Sequence, residues 1–380
     1  MQILIAPNAF KNSLNAIDAA EAIRLGLGQS KLICSCECFP IADGGDGTGD
    51  LIIKKCGGTL VHVDVSGPLG RKMRSSYGLI DEGRTAVIEM ADASGIRLLK
   101  ADELDPLRAS SFGTGEMIRS ALGKGVSKII IAMGGSATVD GGSGMLKALG
   151  VRFLSKKRDI SFSEDLADLT EIDLSGLDQR ILNCEVVVLC DVDNTLLGKS
   201  GSAAVFGPQK GASAEGVKKL EASLSRLRDI ALRETGKDMS AIKYGGTAGG
   251  AAAGLFAFLN AKLVNGIEYF LDLTGFDAVL QPTDLLITGE GSIDEQTLNG
   301  KGPFGAASRA KLHGITVIGL AGKIPLDENK EISRYFDLLL AIGNEPAEYN
   351  TALYLTAANL TRTSRQLGNF IETLAGKKLT

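Results

Sequence analysis

The chain opens on an apolar run, Ile3 to Ala6, that Pro7 brings to a stop, as expected of a short buried strand. Ala16, Ala20, Ile23 and Leu27 follow at helical spacing, with Ser13 in front as the expected N-cap and Gly28 as the stop. Leu32–Pro40 predicts a second strand, and a helix follows from about Thr48 to Lys55. The pattern then changes to alternation. Three runs, Val61–Val65, Lys72–Ile80 and Thr85–Glu89, are separated by turn-forming residues and predict antiparallel strands. Further on come a helix at Thr114–Leu122, an apolar strand at Lys128–Met133, a short helix at Met145–Leu149 and a buried strand at Val186–Cys190. Val217, Leu220, Leu224, Leu227 and Ala231 mark a long amphipathic helix. Short apolar strands interleaved with helices return at Leu285–Thr288, Ile315–Leu320 and Phe336–Ala341.

The first two strands and the last three make a five-stranded parallel sheet with helices on both faces, a flavodoxin- or Rossmann-like α/β domain. Its expected extent is 1–65 plus 282–380, with a second, mixed α/β domain, 66–281, inserted between the halves. Composition agrees with a folded globular chain. Hydrophobic residues make up 44% and charged residues 23%, which excludes a disordered chain. The net charge of −4, with acids and bases interspersed, and the absence of Trp argue against a nucleic-acid partner. The start, Met-Gln-Ile-Leu-Ile-Ala-Pro, has no leader character, and the longest apolar stretch, Ala248–Leu259, is too short to span a bilayer. A cytoplasmic protein with no membrane partner is expected. Cys34, Cys36 and Cys38 alternate on one face of a strand without metal-ligand spacing and read as small buried thiols, and His62 and His313 have no triad motif around them.

Glycine changes the picture most: 48 of 380 residues, against roughly 7% in ordinary chains. Four segments set glycine beside acidic or hydroxyl residues near strand ends: Pro40–Thr48 (PIADGGDGT), Met133–Gly144 (MGGSATVDGGSG), Ile287–Asp294 (ITGEGSID), and Ala203–Gly211 (AAVFGPQKG), which carries Lys210 and follows Cys190–Asp193 (CDVD). A strand, glycines, a hydroxyl residue and then a helix form a concave array of backbone N–H groups suited to phosphate. With several carboxylates and no catalytic histidine, the pattern points to phosphoryl transfer assisted by Mg²⁺, which needs a cation on the transferring group and a carboxylate to accept the acceptor's proton. Lys11, Lys210, Lys301 and Lys323 are the candidate cations. Two look-alikes fail. Leu197–Ser200 (LGKS) ends like a Walker A loop but has Asp193 where that loop needs glycine, and Gly289–Asp294 has Asp294 where a dinucleotide fingerprint needs its last glycine.

In order along the chain, Ala6–Leu14 (APNAFKNSL), Ala42–Thr48, Gly134–Gly142, Phe206–Ala212 (FGPQKGA) and Ile287–Asp294 with Gly300-Lys301 resemble the bacterial glycerate kinases of the two-domain type. The resemblance implies an active site in a cleft between the two domains. It also implies ATP and Mg²⁺ as cofactors, D-glycerate as substrate and transfer of the γ-phosphoryl group, usually to the C2 hydroxyl. It is compatible with a homodimer. Carried onto these positions, it suggests Asp43 or Asp191 as general base, with Lys11 and Lys301 as catalytic cations. Gly134, Gly135, Ser136 and Thr138 become the phosphate cradle, with Gly289 and Lys210 also on the nucleotide. Asp46, Asp140, Glu290 and Asp294 are candidates for the metal, Asp140 and Asp294 being equally suited to cap helices. Ser13 and Asn8 are candidates for the substrate. The family commonly has Asp-Ser where Asn8-Ala9 stands, which moves the base to Asp43 or Asp191, and the Gly245–Gly250 loop lacks a proline and a residue often found before it. A kinase for a related hydroxy acid and a small-anion-binding protein are the alternatives.

Overall fold

In the computed structural model, which describes residues 1–376 apart from 157, 296, 298, 299 and 328, the chain divides into two compact units, 1–43 with 267–380 and 44–266. The cuts fall earlier than the 65/66 and 281/282 boundaries read from pattern, for local packing reasons. The helix Thr48–Lys55 lies on the second unit's sheet, with Ile53 so close to Gly78 that a Cβ there would sit 2.2 Å from its Cγ1. Beyond the second cut, Phe276 stacks edge-on against Phe39 at 5.1 Å, which ties 267–281 to the first unit.

In the first unit, strands β1 (Gln2–Pro7), β2 (Ser35–Cys38), β12 (Leu285–Ser292), β13 (Thr316–Lys323) and β14 (Leu338–Ala341) form a sheet ordered β14-β13-β12-β1-β2, with every neighbour parallel. The flavodoxin-like expectation is met. The order reverses between β1 and β12, which pair Ile3 with Leu285 through Pro7 with Gly289. Such a reversal opens a crevice beyond the carboxyl ends of the two strands. Strand β2 is shorter than its apolar run because it is an edge, bonded on one side only.

The first helix, Ala16–Gly28, is capped by Asn15, whose side chain accepts from the Asp18 N–H at 2.9 Å, and not by Ser13. A tight turn holds Ser13: its N–H donates to the Phe10 carbonyl, Asn12 is left-handed at φ 64°, and its hydroxyl donates to the Leu353 carbonyl at 2.6 Å. Across that helix lies Thr356–Gly376, close enough that a Cβ on Gly26 would stand 2.3 Å from the Thr361 carbonyl oxygen. The thiols expected to be buried are half-buried, because β2 is an edge strand. Burial still pushes the Cys36 thiol up to about 12 and the Cys38 thiol up to about 11, so both stay protonated and inert.

The second unit is built on β3 (Thr59–Ser66), β4 (Lys72–Ile80), β5 (Thr85–Glu89), β6 (Lys128–Ala132), β10 (Glu185–Cys190) and β11 (Lys262–Asn265), ordered β11-β10-β6-β5-β4-β3. β3, β4 and β5 are antiparallel, as their alternation predicts, and β5, β6, β10 and β11 are parallel. A small antiparallel sheet, β7 (Arg152–Ser155), β8 (Arg158–Asp159) and β9 (Glu171–Asp173), covers one end of the core. The amphipathic helix Ala214–Thr235 turns Leu220, Leu224 and Leu227 inward, where they join Ile129, Ile131, Val188 and Phe153. The apolar stretch after Ala248 is a nine-residue buried helix, Ala251–Leu259, and no described helix is long and apolar enough to cross a membrane.

Candidate functional site

In the first unit, the loops leaving β1 and β12 meet at the reversal of strand order. The Asn8 N–H donates to the Gly289 carbonyl at 2.8 Å, and a Cβ on Gly289 would lie 2.0 Å from the Leu320 oxygen, so glycine here serves strand packing. Asn8 is buried and its orientation is fixed. Its Oδ1 accepts from the Ala9 N–H, which turns Nδ2 to donate to Asp43 Oδ2 at 2.9 Å. The same oxygen accepts from the Gly302 N–H at 3.3 Å, the first residue of the helix Gly302–Leu312, whose N-cap is Lys301. An aspartate in place of Asn8 would face Asp43 with a second carboxylate and need a shared proton. The asparagine instead supplies a neutral donor.

Glu290, 8% exposed, stands close by, with Thr297 donating to its Oε1 at 3.1 Å. Burial, then the charge of Asp43, pushes its carboxyl up to about 7 against the pull of Lys301 and Lys11. Lys11 itself is exposed and Lys301 half-buried. Asp294 accepts from the Ser292 hydroxyl at 3.0 Å, and its carbonyl accepts from the Thr297 N–H, the geometry of a turn cap. It lines a cavity of about 410 Å³ with Ile293, Lys323, Pro325 and Asn329. Asn8, Asp43, Glu290, Lys11 and Lys301 therefore come together, and Ser13 is engaged by the Leu353 carbonyl instead.

In the second unit, two of the glycine loops lie against each other. The Gly134 N–H donates to the Gly44 carbonyl at 2.9 Å, and a Cβ on Gly134 would meet Gly45 Cα at 2.4 Å. Gly135 is left-handed at φ 68°, with Asp46 Cγ 3.6 Å from where its Cβ would be. Asp46 is exposed and paired with Arg97, which also binds Asp92. The N-terminal amides of the helix Thr48–Lys55 are already used: Gly47 and Gly49 donate to the two oxygens of Glu89 at 2.6 and 2.9 Å. Burial, then a hydrogen bond with Asp46, pushes Glu89 up to about 8. Burial also pushes Asp92 up to about 6 against the pull of Arg97.

Asp140 is 2% exposed and accepts from the Gly142, Gly144 and Ser111 N–H groups and from the Ser111 hydroxyl. Four protein donors leave it the work of bracing the glycine loop. Lys210, 4% exposed, donates to Ser136 Oγ at 2.8 Å and to the Thr138 carbonyl at 2.7 Å. Burial pushes its ammonium down to about 7 against Asp140 and the half-buried Asp191. Thr138 Oγ1 is enclosed with no hydrogen-bond partner among the described residues, a cost of about 1–3 kcal/mol.

The whole chain has known relatives. The glycerate kinase family profile matches residues 3–372. The chain belongs to the glycerate kinase family. It is thus one of the kinases, 42% identical to the glycerate kinase of Bacillus subtilis over 98% of both chains. It is 40% identical to the glycerate 2-kinase of Escherichia coli K12 over 97% of both. A crystal structure of a putative glycerate kinase 2 from Salmonella typhimurium LT2 superposes on all of it with a TM-score of 0.82 at 41% identity.

Within this family member, Glu89, Asp92 and Arg97 are polar residues outside the glycine loops that cluster around Asp46. The one signal they carry is position: Glu89 is the polar end of an apolar strand, Thr85–Glu89, and Arg97 lies a short step beyond it. Nothing in their spacing announces that they meet Asp46.

Proposed function

We propose that the chain transfers the γ-phosphoryl group of ATP to the C2 hydroxyl of D-glycerate. The observation that carries this reading is the match over nearly the full length of both chains to a protein named for 2-kinase activity, and the built polar loops at strand ends support it. In the second unit, the Gly134–Thr138 turn is assigned to the phosphates, with the Ser136 hydroxyl as donor and Gly135 allowing close approach of backbone.

Magnesium fits this chain on one condition. Among the described residues no group of three His, Cys, Asp or Glu side chains is arranged to hold a metal, so the ion has to be held mostly by phosphate oxygens and water. Asp46, exposed and beside Gly135, is assigned to complete such a shell, giving up its pairing with Arg97 to do so. The ion would neutralise charge developing on the phosphates. Asp140 is excluded from that role by its four internal donors. In the first unit, Lys11 and Lys301 are assigned to glycerate's carboxylate. Asp43, aimed by Asn8 and Gly302, is assigned to accept the C2 hydroxyl proton.

The test is ADP release from ATP and D-glycerate in a coupled assay, with the product offered directly to enolase, which consumes 2-phosphoglycerate. Asp43→Asn is expected to lower kcat at least about a hundredfold with a smaller change in KM. No ADP release would sink the reading, and product inert to enolase would move the transfer to the C3 hydroxyl. If Asp191→Asn, and not Asp43→Asn, abolished turnover, the base would be Asp191.

A further inference from the structure

We infer that Lys210 is a positioning residue that turns the Ser136 hydroxyl into an obligatory donor toward an anionic ligand oxygen; this rests on assigning the Gly134–Thr138 turn to phosphate. An ammonium has protons to give and no lone pair to offer. When Lys210 Nζ donates to Ser136 Oγ at 2.8 Å, the seryl proton cannot point back at the lysine and has to seek an acceptor elsewhere. A second ammonium proton holds the Thr138 carbonyl at 2.7 Å. One nitrogen thus pins both ends of the tripeptide Ser136-Ala137-Thr138.

The turn is held from its other side by the Ala137 N–H, which donates to the Ser94 carbonyl, and by the Gly135 carbonyl, which accepts from the Ile96 N–H. The lysine is equally fixed. It ends a short turn, Pro208–Lys210, and Gly211 follows at φ 101°, where a Cβ would meet the Leu104 oxygen at 2.4 Å. Enclosed at 4% exposure, Lys210 acts on a ligand through Ser136. This differs from the phosphate-touching lysine that the sequence suggests. Asp140 and Asp191 offset only part of the burial that pushes this ammonium down to about 7, so the serine is an obligatory donor below that pH and the titrations belong at about pH 6.

A double-mutant cycle read by calorimetric titration with ADP and magnesium chloride tests the assignment, with melting temperature followed alongside. Ser136→Ala is expected to weaken ADP binding about tenfold with little change in melting temperature, and Ser136→Thr, which keeps a hydroxyl, to restore most of it. Lys210→Met should cost about tenfold in the native background and less than about threefold in the Ser136→Ala background. In turnover, KM for ATP should move more than kcat. Should Lys210→Met not fold, Lys210→Gln, which removes the charge and whose amide oxygen can accept the seryl proton, takes its place in the cycle with the same expected costs. Equal costs in both backgrounds, or native ADP affinity in Ser136→Ala, would overturn the inference. ADP binding that follows the cycle, in a protein that releases no ADP with D-glycerate, would instead count against the kinase reading alone.

Discussion

Glu89 shows how a single side chain takes over work that a glycine loop advertises. The loop Ala42–Thr48 has the composition of an anion cradle, yet the amides of Gly47 and Gly49 close on a carboxylate from the chain itself. A carboxyl raised from 4.5 to about 8 binds its proton more tightly folded than unfolded. The stability it contributes is fully present below about pH 4.5 and is lost as pH rises through 8, in total on the order of a few kcal/mol. Urea unfolding should show the native protein less stable at pH 8.5 than at pH 5.5, and Glu89→Gln should flatten that slope. An unchanged slope would mean that Glu89 is ionised throughout. At the same scale, Asn8 was legible as a departure from its family, but its effect was not. Only the neighbour Asp43, 35 positions away, makes the amide a donor.

Among the elements, the strands and most helices follow from their own periodicity. Lys72–Ile80 and Thr85–Glu89 occupy the residues that alternation predicts. The cap of the first helix does not follow, because Ser13 and Asn15 are both good caps and the Phe10–Leu14 turn decides between them. Likewise, the glycines of the Met133–Gly144 segment were legible as a cluster, while the reason for each was not. Gly134 is small because the Gly44–Asp46 backbone lies on it. Gly134→Ala is therefore expected to push two loops apart, destabilise the protein by about 1–3 kcal/mol and weaken ADP binding. Thermal melting and calorimetry would check this. A variant with native melting temperature and affinity would show that the loops yield at no cost.

At the scale of the molecule, the insertion of one unit in the other governs what can stand alone. The segment 44–266 carries its six-stranded sheet and its core entirely within itself. The first unit pairs β1 with β12 across more than half the chain. Expressed alone, 44–266 is expected to fold cooperatively, with helix and sheet signals by circular dichroism and a single urea transition. Residues 1–266 should fold no further than that segment, since β1 and β2 would lack β12. A non-cooperative 44–266 would show that its core needs the first unit.

By itself the sequence determined the α/β class, the parallel and antiparallel stretches, the family, and the loops in which the polar chemistry sits. These are properties of periodicity and of glycine's backbone freedom, which a chain carries locally. Tertiary structure alone decided which polar groups meet: Glu89 with the 47–49 amides, Arg97 with Asp46, Asn8 with Asp43, and Lys210 with Ser136, 74 positions apart. Hydrogen bonds and buried charges act over a few ångströms, and separation along the chain does not fix distance in space. Residues of the right type were therefore visible in the sequence, and their partners became visible only once the strands were laid side by side.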